Sequence, residues 1–496
     1  MRRSLATASF LVSSLFSIAS AESLQLEARS EYTSTCTEIE QAISSASSVH
    51  WPYLGFNSAY EKDIGHWALS STAHAACSVE PGTAEDVGKI LQIVGKNKTP
   101  FAVKGGGHAS NPGFSSTKGV QIAMYRFSEV KYNPDNQTAE VGSGLIWDEI
   151  YAALEPYAAN VVGGRVTGVG MAGFTLGGGY SWKTNQHGLT VDTVAGFELV
   201  LPHGKIAHVS EDSYPDLFWG LKGGFNNFGI VTKFILKTHF QTQVWGGIIT
   251  ITQEHLEAVN NATVKFSQTV TDPKAAVLPT YNFILGAPGV SVLLFYDYPT
   301  APEGIFDDFL AIPSFSKDIK TRTFLDLVGA PPSNATSNTR CIFHTVSLEQ
   351  YTPKIMDAVL NETKFWGKYL SLRSGTFISY DVEPFLPSIF SHAAENSSAY
   401  PAERERGLLP LNIYYAYGVA AADETFYHAA RQSAARLVAV AQSEGQDVAD
   451  APLYGNYAMF DTPLERIYGA NVDGLRAVKA RYDPEGVMGL AGGFKF

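Results

Sequence analysis

Residues 101–113 read FAVKGGGHASNPG: an apolar stub, then Gly105, Gly106 and Gly107, then His108. Glycine costs conformational entropy and is worth its place only where φ is positive or another group approaches the backbone closely. Three in a row predict a nest of backbone amides, a concavity that holds phosphate or another anion. A titratable imidazole at the exit of such a nest fits a binding site better than a plain turn.

Two further glycine-rich stretches follow, GVGMAGFTLGGG (168–179) and LKGGFNNFGIVTKF (221–234). GVGMAG satisfies the dinucleotide fingerprint G-x-G-x-x-G, and Asp192 stands at nearly the ribose-binding distance. The fingerprint also requires a long amphipathic helix directly after it, and Gly177, Gly178 and Gly179 fall where that helix would propagate. A Rossmann unit is therefore set aside, while close backbone approach to a ligand is kept. Between the glycine segments, helix and strand alternate. TAEDVGKILQIV (83–94) puts Val87, Ile90, Leu91 and Val94 on one helical face behind a cap at Thr83. LIWDEIYAAL (145–154) reads as a helix, and TVAGFELVLPHGKIAHVS (193–210) as two strands around a His-Gly turn. From Val244 the texture shifts to aromatic strands such as VSVLLFYDYP and LPLNIYYAYGVA, followed by a long helix over 424–442. The layout is α+β with short strands.

The 496-residue chain is 45% hydrophobic and carries a formal charge of −12 with no basic block, which argues against nucleic acid or an anionic membrane as partner. Arg2 and Arg3, the apolar run Leu5–Ile18 and the small residues Ala19–Ala21 predict a signal peptide over 1–21 and hence secretion; a membrane anchor is the alternative. No other segment is expected to span a bilayer. An oxidising compartment favours one disulfide among Cys36, Cys77 and Cys341, taken as Cys36–Cys77 with Cys341 free, although all three also suit small buried hydrophobes. Sequons at Asn97, Asn136, Asn261, Asn334, Asn361 and Asn396 suit a glycoprotein. Phosphate-loop, zinc-protease, C-x-x-C and nucleophile-elbow motifs are missing from the sequence, so hydrolase and metal readings lose their usual support and no metal is expected.

Five segments in order resemble FAD-linked oxidases of the vanillyl-alcohol oxidase and p-cresol methylhydroxylase type, in the berberine-bridge-enzyme-like branch. They are the 83–94 helix, the GGH loop, GVGMAGFTLGGGYS, DLFWGLKGGFNNFGIVT, and the ending from NYAMFDTP to YDPEGV. The resemblance implies a bipartite FAD-binding domain of two α/β subdomains, residues 22–243 with 451–496. It also implies a substrate domain, 244–450, with an antiparallel sheet covered by helices. It implies that His108 bonds covalently to the flavin 8α-methyl, with the backbone amides of 105–109, among them Gly105, Gly106, Gly107 and Ala109, facing the pyrophosphate, and Lys104 a further cofactor contact. Gly168, Gly173, Gly178, Gly179, His187, Gly229, Ile230 and Asn456 carry over as further cofactor contacts. Members with a second, cysteinyl link have that cysteine where this chain has Val166, so a single link is expected. Val169 matches the position beside flavin C4a, where a small residue favours reaction with oxygen.

A flavin accepts hydride at N5, so the protein must place the substrate C–H there and take up a proton. The resemblance points to Tyr457 for that role. On 409–418, period two puts Asn412 and Tyr414 on one face, with Tyr414 a second candidate; Asn412 matches a glutamate base of alkaloid-oxidising relatives and cannot act as one. His344 lies near Cys341 without a motif behind it. The expectation is a secreted, monocovalent FAD oxidase that oxidises a small aromatic or polyketide-like metabolite and passes electrons to O2, giving H2O2. A carbohydrate oxidase and a flavin-retaining binding or cyclase-like protein are the alternatives.

Overall fold

The computed structural model describes residues 31–52 and 58–496; the expected signal segment, 1–21, lies outside the described residues. Thr83 caps the helix Ala84–Lys96 by accepting a hydrogen bond from the Asp86 amide at 3.2 Å, and the apolar stripe of that helix is buried. It covers a small sheet in the order Ser48–His50, Cys77–Glu80, Val120–Ala123, Phe101–Lys104, with the last three strands parallel. Parallel pairing brings Phe101–Lys104 out at the sheet end from which the glycine nest begins. The Cys36–Cys77 disulfide ties the helical stretch 31–42 to this sheet, and Cys341 is free and buried.

A second, antiparallel sheet runs Val130–Asn133, Thr138–Gly142, Ile230–Lys237, Val194–Val200, Ile206–Val209. The helix after GVGMAG covers only Met171–Leu176 before Gly177 ends it, as the glycine run predicts. The third sheet has seven antiparallel strands, among them Val244–Thr252, Ala275–Ile284, Ala287–Tyr296, Arg340–Leu348, Gly375–Val382 and Leu409–Tyr417. The helices Leu256–Thr269, Pro353–Ser371 and Asp423–Ser443 pack against one another and against one face of this sheet. Every residue of Leu409–Tyr417 is buried because helices cover one face and the rest of the chain closes over the other. On the helix side Tyr417 stacks on Phe426, while Asn412 and Tyr414 line a cavity on the opposite face. We propose the division 22–243 with 451–496, and 244–450, as the domain organisation of this α+β fold.

Candidate active site

The free face of the seven-stranded sheet and the three glycine segments enclose a cavity of about 840 Å³. The nest forms one wall. Gly107 has φ +73°, and a Cβ at Gly106 would lie 2.4 Å from the Gly170 Cα, so the first two glycine segments touch backbone to backbone. Gly105, Gly106, Gly107, His108 and Ala109 line the cavity, as do Val166, Val169, Gly173, Gly229, Ile230 and Asn456. A Cβ at Gly173 would meet nothing within 4 Å, and the Ser143 hydroxyl is buried on the cavity wall without a partner. Open backbone beside an unspent donor suits a large, flat, anionic ligand, so these residues fit FAD. Burial holds the His108 imidazole down to about 4, which keeps it neutral at ordinary pH. Asn456 is fixed by bonds to the Phe174 carbonyl at 3.1 Å and the Tyr454 hydroxyl at 2.8 Å.

Five expected cofactor contacts do not line this cavity. Lys104 is buried, but its ammonium turns away, donating to the Lys62 carbonyl at 2.7 Å beside the Tyr125 ring; burial lowers its pKa to about 8. The Gly168 amide bonds Asp148 at 3.0 Å. Gly178 and Gly179 serve packing, because a Cβ would collide with Tyr400 and with Thr190. His187 stacks on His239, ring centroids 3.6 Å apart, beside the ion pair of Lys183 with Asp297. The likeness in sequence was local, whereas which side of a turn meets the cavity depends on how the neighbouring elements pack.

Opposite the nest, sheet register writes a polar row across four strands: Ser291 faces Thr280, Thr280 faces Asp381, and Asp381 faces Asn412. Asn412 donates to Asp381 at 2.9 Å, leaving its own carbonyl oxygen buried and unpartnered. Burial pushes the Asp381 carboxyl up. Beside this row the lining is apolar, with Ile248, Leu278, Leu293, Phe343 and Phe377. Tyr414 sits among the aromatic rings and donates to the Thr336 hydroxyl at 2.5 Å.

Tyr457 lies between two buried charges. Its hydroxyl donates to Glu383 at 2.9 Å and accepts from Arg165 at 2.8 Å; Arg165 also pairs directly with Glu383 at 2.8 Å. The side chains of Arg165 and Glu383 are 10% and 0% exposed, so the pair works in low dielectric. Burial, reinforced by the Glu383 charge, raises the Tyr457 phenol well above its ordinary value, with Arg165 opposing. A standing phenolate at Tyr457, the expected proton acceptor, is therefore disfavoured, and the buried Glu383 carboxylate accepts its hydrogen bond. Burial raises Glu383 too, opposed by Arg165, which makes it a better acceptor than an exposed glutamate. Sequence reasoning missed Arg165, Glu383 and Asp381. The signal was there for the carboxylates: in SYDVEPF, period two aligns Ser379, Asp381 and Glu383 on one face.

Residues 75–210 match the family described as FAD binding domain, and residues 453–491 match the one described as berberine and berberine like. The FAD-dependent monooxygenase yanF of Aspergillus niger is 30% identical over 442 residues, covering 85% of this chain and 73% of its own. The FAD-dependent monooxygenase drtC of Aspergillus calidoustus is 30% identical, covering 87% and 84%. An uncharacterised FAD-linked oxidoreductase of Arthroderma benhamiae is 38% identical over 53% of each chain. Among solved structures, 6-hydroxy-D-nicotine oxidase from Arthrobacter nicotinovorans superposes with a TM-score of 0.75 at 20% identity, covering 90% of this chain and 97% of its own. A chitooligosaccharide oxidase gives 0.70 at 21%, covering 93% and 98%. These likenesses in structure carry the fold, and the likeness in sequence to yanF and drtC, over 85% and 87% of this chain, carries the family. With a cavity walled by amide nest on one side and polar sheet on the other, the chain belongs to the FAD-linked, berberine-bridge-enzyme-like oxidoreductases.

Proposed function

We propose that the protein is a secreted oxidase that holds FAD through a single bond to His108 and oxidises a small, amphipathic, aromatic or polyketide-like metabolite. The observation that carries this reading is the Arg165–Tyr457–Glu383 cluster opening on the cavity opposite the glycine nest. Bound FAD supplies the hydride acceptor and O2 the final one, giving H2O2. The chain's own residues handle the proton. As a substrate hydroxyl gives its proton to the Tyr457 oxygen, the Tyr457 proton moves to Glu383, and Arg165 stabilises charge on either oxygen. The apolar lining receives the hydrophobic body of the substrate, and the Asp381–Asn412 end of the polar row accepts its donors. This balance of apolar wall and short polar row supports the metabolite reading over an oligosaccharide. The missing cysteine at Val166 supports one covalent link. Export over residues 1–21 and the six sequons belong to the same proposal, supported by the Cys36–Cys77 disulfide.

The test is a screen of phenols, alcohols and sugars for anaerobic bleaching of the oxidised-flavin band, followed by H2O2 measurement in air. Bleaching with stoichiometric H2O2 supports the oxidase. Isotopic oxygen from O2 appearing in the product would replace it with a monooxygenase, and bleaching only by sugars would move the substrate class.

A further inference from the structure

Trp67 belongs to none of the segments that define the family likeness, yet it touches the nest twice. Its amide donates to the Gly107 carbonyl at 3.0 Å, and its indole stacks on the His108 imidazole with centroids 4.4 Å apart and planes 14° from parallel. The other side of its backbone is tied as well. The Asn338 amide donates to the Trp67 carbonyl at 2.9 Å, and the next residue, Ala68, pairs with Thr339. With both peptide groups held, the backbone fixes where the Trp67 side chain leaves the chain, and packing on Phe343 and Tyr414 fixes the ring. Phe343 then lies against it nearly parallel, centroids 6.1 Å apart. The indole N–H is buried on the cavity wall without a partner.

An imidazole that is to bond a flavin must present one ring nitrogen along a single direction. Among the described contacts the His108 imidazole hydrogen-bonds only within its own residue, to its own backbone, so the stack on Trp67 is what holds the plane of the ring against the rest of the site. We propose that Trp67 is the positioning residue for covalent attachment of the flavin: it holds the plane of the His108 ring so that a nitrogen points at the 8α carbon. This rests on the covalent assignment to His108. Attachment forms the N–C8α bond and breaks one 8α C–H bond. The 8α proton leaves, the alkylated imidazole gives up its N–H proton, the electron pair enters the flavin, and O2 takes up that pair with the two protons to become H2O2. Trp67 takes no part in the bond changes. Its effect is on geometry, where loss of alignment costs on the order of tenfold to a hundredfold in rate.

The experiment compares purified holoproteins of wild type, W67F and W67L. Total FAD is measured before acid precipitation and covalent flavin in the pellet after it, at a fixed short time from induction. The expected result is total FAD within about twofold in all three. The covalent share of W67F should stay near that of wild type, because an aromatic face remains, and that of W67L should fall at least about tenfold. A covalent share in W67L equal to wild type overturns the proposal, as does W67F falling as far as W67L. Should W67L not fold, W67M fills the volume without a ring and takes its place, with the same readings. If wild type itself leaves all flavin in the acid supernatant, the covalent assignment fails, a result distinct from any difference among the variants.

Discussion

Replacing Tyr457 with phenylalanine removes one hydroxyl from the centre of the cluster and nothing else. The ring remains packed against Tyr454 and Phe343, and the direct Arg165–Glu383 ion pair at 2.8 Å survives, so neither buried charge is orphaned. The stability loss is then confined to the hydroxyl's two bonds, about 1–3 kcal/mol. The chemistry loses its relay. With no hydroxyl between substrate and Glu383, flavin reduction slows by a factor on the order of 10²–10⁴, the usual worth of a positioned proton acceptor. Glu383→Gln provides the contrast. It removes the final acceptor, with a similar fall in rate, and it also leaves the Arg165 guanidinium without its counter-ion, which costs about 3–5 kcal/mol more. Tyr414→Phe, which loses the bond to Thr336 and the contact with the Cys341 sulfur at 3.7 Å, should change the rate by less than about tenfold. Stopped-flow reduction without oxygen, paired with thermal melts, reads both quantities. Wild-type reduction in Tyr457→Phe would refute the relay, and Glu383→Gln melting like wild type would refute the account of the ion pair.

His108→Ala should release all flavin into the supernatant of acid-precipitated protein, where wild type keeps it in the pellet; retention in the variant assigns the bond to another residue. The relay requires ionised Glu383, whose pKa burial raises, so the reduction rate should fall on the acid side with a midpoint above the ordinary glutamate range; an acid limb at that ordinary range or below contradicts it. The stacked His187 and His239 are depressed to about 3 and about 4, mainly by burial, so they stay neutral in the fold while the unfolded chain protonates near pH 6.5. Their contribution to stability is full above about pH 6.5 and is lost as pH falls toward about 4, and His239→Phe should flatten the melting temperature over that window. Removing the Cys36–Cys77 disulfide frees a loop with a sequence separation of 41 and should lower stability by about 4 kcal/mol on the chain-entropy account, read by denaturant unfolding of the double serine variant.

Local chemistry made much of this protein legible from its residues. Glycine runs demand positive φ or close backbone approach wherever they occur, so the nest before His108 and the early end of the helix at Gly177 could be read directly. Strand period placed Asn412 and Tyr414 on one face without knowledge of what that face would meet. The interruption by Gly177, Gly178 and Gly179 was enough to set aside a Rossmann unit. Tertiary structure decided what depends on register and on the packing of distant segments. Only the pairing of Gly375–Val382 with Leu409–Tyr417 sets Asp381 beside Asn412, and only the approach of residues 165, 383 and 457 makes one buried hydrogen-bonded cluster. The same packing turned Lys104 and His187 away from the cavity and laid Trp67 against His108. A backbone requirement is a property of neighbours in sequence. The burial of a charge, and the partner that makes it bearable, are properties of neighbours in space.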